Sequence, residues 1–169
     1  DFGRGNSNVL PQNPFLAPGY SYATSPPPND GSYTITNNTS IWGSFAAANW
    51  INIRDNSDDP NGYMMVVNAS YEPGIFYQET VTVCENTNYE FSADVISMND
   101  PNRGTGFIEP NLSFLINGIE VYASGDVPVD AQWHTYGFTF TTQPGVEAIQ
   151  LTLRNNAPGG YGNDLALDN

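Results

Sequence analysis

The sequence predicts an all-β fold: an antiparallel two-sheet β-sandwich, most simply a jelly roll, of about nine strands. Gly, Pro and Asn together fill 50 of the 169 positions, too many turn formers for a helical bundle. Between them lie short runs of β-branched and aromatic residues, separated by turn signals in the manner of a sandwich or barrel. No helical period is sustained, and the one ambiguous stretch is Phe45 to Ile53. The length suits a single domain over residues 1–169, and an apolar content of 39 % provides for a real core.

In chain order, residues 1–31 are rich in Pro and Gly and read as a loop-rich N-terminal segment with one short strand near Phe2. Ser32 to Asn37 is the first full strand. Tyr63 to Ala69 is almost continuously apolar, which predicts a central strand covered on both faces. Ile75 to Val83 follows. In Tyr89 to Val95, Tyr89, Phe91, Ala93 and Val95 point to one face while Glu90, Ser92 and Asp94 point to the other. Leu112, Phe114 and Ile116 repeat that period, Asn117-Gly118 supplies the two positive-φ residues of a type I′ turn, and Ile119 to Tyr122 returns. Trp133 to Thr142 sets His134, Tyr136, Phe138 and Phe140 against Thr135, Gly137, Thr139 and Thr141. Ile149, Leu151 and Leu153 oppose Gln150 and Thr152, and Leu165 to Asp168 is the last strand.

Charge narrows the function classes. Eighteen Asp and Glu face four Arg, with no Lys, for a net charge of −14. Such a surface repels phosphate backbones and anionic lipid, so nucleic acid and membrane-surface partners are excluded, and no apolar run reaches the length of a membrane span. It attracts hard cations, which makes Ca²⁺ the first cofactor to test. One His and one Cys are too few for the usual zinc sites, and His134, flanked at spacing two by Tyr136, reads as a histidine at the core's edge. A Ser-His-Asp or Cys-His nucleophile is therefore not expected. Paired carboxylates for glycoside hydrolysis survive as a distant third reading. Cys84 is either a buried thiol or half of a disulfide whose partner lies elsewhere.

Two groups of residues could carry binding. Asp55 to Gly62 packs three Asp and two Asn into a loop before the buried strand, but lacks the spacing of an EF-hand. Asp30, before the first full strand, and Asp164 and Asp168, around the last, add to it, because first and last strands of a jelly roll commonly lie side by side. The second group is aromatic. Trp42, Trp50, Tyr71, Tyr77 and Tyr161, with Tyr20 and Tyr22, lie outside the alternating core positions. Sugars present flat C–H faces that pack on such rings while Asn, Asp and Gln order the hydroxyls, so these residues form a candidate glycan platform. The plainer alternative is that Trp42 and Trp50 cap the core.

The segments DFGRG at Asp1, DGSYTITN at Asp30, IRDNS around Asp55, GYMMVVNAS at Gly62, PGIFYQETVTVCENTNYEFSADV at Pro73, PNLSFLING at Pro110, WHTYGFTF at Trp133 and LRNNAPGGYGNDLALD at Leu153 together resemble a known β-sandwich domain. It recurs in large secreted, cell-surface and adhesin-like proteins of gliding and related Bacteroidetes, and is distantly similar to galactose-binding-like carbohydrate-binding modules. The resemblance implies a structural Ca²⁺ between the start of the chain and its last strand, with Asp30 and Asp168 as first ligands, then Asp164 and Asp55, and Asp1 as a further donor. It also implies a strand beyond Asn169, so that the chain is a fragment of a longer polypeptide and Cys84 pairs outside it.

The resulting expectation is a non-catalytic, secreted or cell-surface adhesion module that binds a glycan or surface polymer and is stabilised by calcium. The alternative is a self-assembling structural subunit of a surface filament or appendage, joined to further copies or adjacent domains by strand exchange.

Overall fold

The computed structural model describes residues 2–169. Its strands are β1 (Ser21–Tyr22), β2 (Ser32–Thr36), β3 (Met64–Asn68), β4 (Gly74–Thr82), β5 (Asn88–Ser97), β6 (Asn111–Ile116), β7 (Ile119–Asp126), β8 (His134–Thr141), β9 (Ala148–Asn155) and β10 (Leu165–Asp168), with a short helix α1 at Ser44–Asn49. They form a β-sandwich of a six-stranded sheet, β1-β2-β3-β10-β5-β8, and a four-stranded sheet, β4-β9-β6-β7. Every pairing is antiparallel except β1 with β2. The turn between β6 and β7 has φ of 51° at Asn117 and 79° at Gly118, the positive pair that its Asn-Gly sequence predicts.

Alternation builds the central core. Tyr33, Ile35, Met65, Val67, Phe91, Ala93, Val95, Leu165 and Leu167 point inward from the larger sheet and meet Phe76, Leu112, Phe114 and Leu153 from the smaller. The alternate residues Met64, Val66, Ile96 and Ala166 point outward, yet they are also buried. They lie under the segment that carries Trp42, Ala46, Trp50 and Ile51, which makes a second core on the outer face. This explains why the β3 run is apolar without interruption. Trp50 is 2 % exposed. A tryptophan withdraws roughly 200 Å² from water, worth about 5 kcal/mol as an upper bound, which is enough to hold a six-residue helix that could not stand alone.

Several expectations need correction. The N-terminal segment contributes the two-residue β1, and near Phe2 the described residues form only an isolated bridge, Arg4 with Gly62. β10 does not lie beside β2, because β3 is inserted between them. Cys84 is exposed, in the turn after β4, where backbone bonds to Tyr89 and Thr142 fix the main chain and leave the thiol outside. His134 stands at the edge as expected, its Nε2 2.9 Å from Asp130. Asp1 lies outside the described residues. No helix among them is long and apolar enough to cross a membrane.

Candidate functional site

β3 and β10 run side by side, so residues at their two ends are sorted to two ends of the sheet. The candidate acids divide accordingly. Asp30 and Asp164 line one cleft, together with Asn68 and Ala69 at the end of β3. Asp55 and Asp168 line another, with Gly3, Arg4 and Gly62 near its start. Four residues of strand separate Asp164 from Asp168, about 13 Å at ~3.3 Å each. Asp30 and Asp168 therefore cannot share one ion, and among the described residues no three His, Cys, Asp or Glu converge as a metal site.

The first cleft gathers most of the predicted residues: Asp30, Trp50, Tyr71, Tyr161 and Asp164. Its volume of about 150 Å³ is smaller than the roughly 300–1,000 Å³ of pockets that enclose a small molecule. Asp30 is placed by a turn before β2. Asn68 Nδ2 donates to Pro28 O at 2.9 Å, Gly31 N to Asn68 O at 3.0 Å, and Ser32 N to Asn29 O at 2.9 Å. The Asp30 side chain itself is exposed and has no hydrogen bond or ion pair among the described residues.

Asp164 precedes β10 and is held from both sides. Its Oδ1 accepts from Ala69 N at 3.0 Å and its Oδ2 from Trp50 Nε1 at 3.1 Å. Desolvation dominates its titration: burial pushes the pKa up to about 7, the two N–H donors pull it down, and the neighbouring Asp30 adds to the rise. With both oxygens committed, the group ties the Trp50 indole to the end of the sheet.

The aromatic side of the cleft depends on the glycine run of the NNAPGGYGND segment. A Cβ on Gly159 would fall 2.2 Å from Tyr71 Cα, and Gly159 N donates to Tyr71 O at 2.8 Å, so glycine alone permits this approach. Gly162 has φ of 130°, and its Cβ would fall 2.5 Å from Ile108 O. These contacts present Tyr71 and Tyr161 at the surface, 65 % and 52 % exposed. Phe107 stacks on Tyr161 with centroids 4.7 Å apart.

Not every predicted aromatic belongs here. Trp42 is buried in the outer core, where its Nε1 reaches Asn8 Oδ1 at 3.3 Å. Trp50 is buried too, packed edge-on to Phe45 at 5.0 Å, and borders the cleft without offering a free ring face. Tyr77 lines a separate recess between the sheets, edge-on to Phe2 and donating to Glu79 Oε2 at 2.7 Å; burial and then Glu79 raise its pKa far above the usual phenol value. The exposed aromatic residues of the cleft are thus Tyr71 and Tyr161. Sequence reasoning missed Asn49 and Asn99 along the cleft wall. Asn99 is 3 % exposed and its Nδ2 lacks a hydrogen-bond partner among the described residues. The abundance of Asn was visible, but no local pattern separates a cleft Asn from a turn Asn.

At the other end, Asp168 Oδ2 accepts from Asn56 N at 2.7 Å, and Asn56 Nδ2 donates to Asp94 Oδ2 at 2.8 Å. Burial, and less strongly Asp55, raise the pKa of Asp168. Burial also acts upward on Asp94, but hydrogen bonds from Thr135, Asn56 and Asn169 outweigh it and hold the carboxyl below its usual value.

No protein-family model matches the chain, and no curated protein does. Among solved structures, an apo form cyclase from Fischerella sp. superposes with a TM-score of 0.57 at 13 % identity, covering 100 % of this chain and 86 % of its own. A cyclase from Fischerella sp. TAU in complex with 4-(1H-indol-3-yl)butan-2-one gives 0.57 at 12 % identity, over 95 % and 85 %. The C-terminal domain of EclA, a sugar-binding protein, gives 0.48 at 14 % identity, over 59 % of this chain and 66 % of that one. The likeness to the two cyclases, at these identities, shows a shared β-sandwich and nothing finer.

Proposed function

We propose that the chain is a non-catalytic glycan-binding module, and that the cleft of Asp30, Tyr71, Tyr161 and Asp164 is its binding site. One observation carries this most: two exposed tyrosines held by backbone close approaches stand beside carboxyl and amide groups, one of them an amide donor without a partner. Flat rings suit sugar C–H faces, and the polar wall suits hydroxyls. A fold shared with cyclases supplies no chemistry by itself, and the one acid here with a strongly raised pKa has both oxygens occupied. The reading is tested by a glycan array followed by titration of any hit against Tyr71→Ala and Tyr161→Ala, each of which is expected to weaken binding at least tenfold. A secreted or cell-surface setting and an adhesive role are part of the same proposal.

Calcium is proposed at the Asp55 and Asp168 end only. Carboxylate and loop carbonyl oxygens are the right donors for this ion, and Asp168, partly desolvated beside Asp55, is a group that a cation would relieve. The ion would tie the N-terminal segment to β10.

A second reading, assembly by strand addition, has its own observation. β10 pairs with β5 only through Asp94 to Ser97, so among the described residues no strand pairs with Asn88 to Ala93 on that side. A recess of about 280 Å³ lined by Phe91, Ser92, Ala93, Leu167 and Asn169 borders this open edge.

A further inference from the structure

The cleft is acidic without compensation. Asp30 stands exposed at its rim with no partner among the described residues, and none of the four arginines lines it. Arg103, which lies toward α1, is already engaged by Asp100 at 2.9 Å and by Ala47 O. Arg4 pairs with Asp59, and Arg54 donates to Pro60 O at 2.8 Å. The donors that remain, such as the Asn99 amide, are neutral. An anionic sugar entering this space would meet a carboxyl group with no cation to offset it, inside the field of a chain of net charge −14. A ligand ammonium meets the reverse: a free carboxyl at the rim, and along the same cleft the exposed rings of Tyr71 and Tyr161, of a kind whose quadrupoles attract cations within about 6 Å.

We propose that the cleft selects glycans carrying free amino groups, such as unacetylated glucosamine units, over their N-acetylated counterparts, and rejects uronic acid and sulfated glycans. Asp30 is the residue that determines this preference. The proposal rests on the glycan-binding reading above and adds the class of sugar.

The test uses the full chain and calorimetric titration with three defined probes: chitosan-derived glucosamine oligomers, the matching N-acetylglucosamine oligomers, and oligogalacturonate. In about 20 mM salt, where charge is weakly screened, glucosamine oligomers are expected to bind at least fivefold more tightly than N-acetylated ones, with no binding of the uronate. Asp30→Asn brings that ratio below twofold. Asp58→Asn, which removes one exposed acid from a loop outside the cleft, leaves the ratio intact and so separates local recognition from general attraction to an acidic surface. Equal affinity for the first two probes, a ratio insensitive to Asp30→Asn, or binding of the uronate would overturn the inference while leaving glycan binding standing. Binding of none of the three would overturn both.

Discussion

Asp164 joins the two halves of the cleft because one oxygen holds the end of β3 and the other holds the Trp50 indole. The position carries a cost that depends on pH. An aspartate in the unfolded chain loses its proton near 3.9, whereas in the folded protein Asp164 keeps it to about 7. Between those values the folded state binds more protons than the unfolded one, so stability falls as pH rises. The contribution is complete below the unfolded value and gone once pH has passed the folded one, with a slope of up to about 1.4 kcal/mol per pH unit. The melting temperature of the natural chain should therefore drop relative to that of Asp164→Asn as pH goes from 4 to 8. The difference isolates this one group, since Asp168, also raised, is common to both proteins. Parallel curves would show that Asp164 is ionised at neutral pH in the folded state.

At the scale of elements, the alternating strands were legible because one face turned toward the core. Tyr89 to Val95 and Trp133 to Thr142 alternate in the sequence, and β5 and β8 pair side by side in one sheet with Phe91 opposite Phe138. The uninterrupted apolar run of β3 announced cover on both faces, but not what supplies it. The covering segment from Trp42 to Ile51 has no strong period, since a six-residue helix and its flanks are held by burial and not by propensity. That is why Trp42 and Trp50 read as platform residues and proved to be core. The cleft was half legible: its acids and tyrosines stood out by type, while their sorting to the two ends of β10 follows from strand order, which a single sequence does not encode locally. The open edge of β5 belongs to this scale too. If it serves assembly, light scattering should give a mass above that of the monomer that rises with concentration, and Ser92→Pro, which removes a backbone donor from this strand, should abolish the rise. A single mass of 18.4 kDa at all concentrations would reject strand addition between copies of this chain.

Across the whole molecule, charge and fold divide the work. The sandwich brings Asp30 and Asp164 to one end and Asp55 and Asp168 to the other, and at a net charge of −14 both ends are expected to attract cations and to repel phosphate and anionic lipid. At the Asp55 and Asp168 end, added Ca²⁺ is expected to raise the melting temperature by several degrees and EDTA to return it; an unchanged melt would reject the ion. At the other end the proposed occupant of the cleft is a glycan, and the three tryptophans supply an internal control. Trp50 borders the cleft and donates to Asp164, whereas Trp42 and Trp133 do not line it. The most direct measurement is an NMR titration of ¹⁵N-labelled protein with glucosamine oligomers, following the three indole N–H resonances. A saturable shift of the Trp50 signal alone is the predicted result, and no shift, or equal shifts of all three, would contradict a glycan site at this cleft.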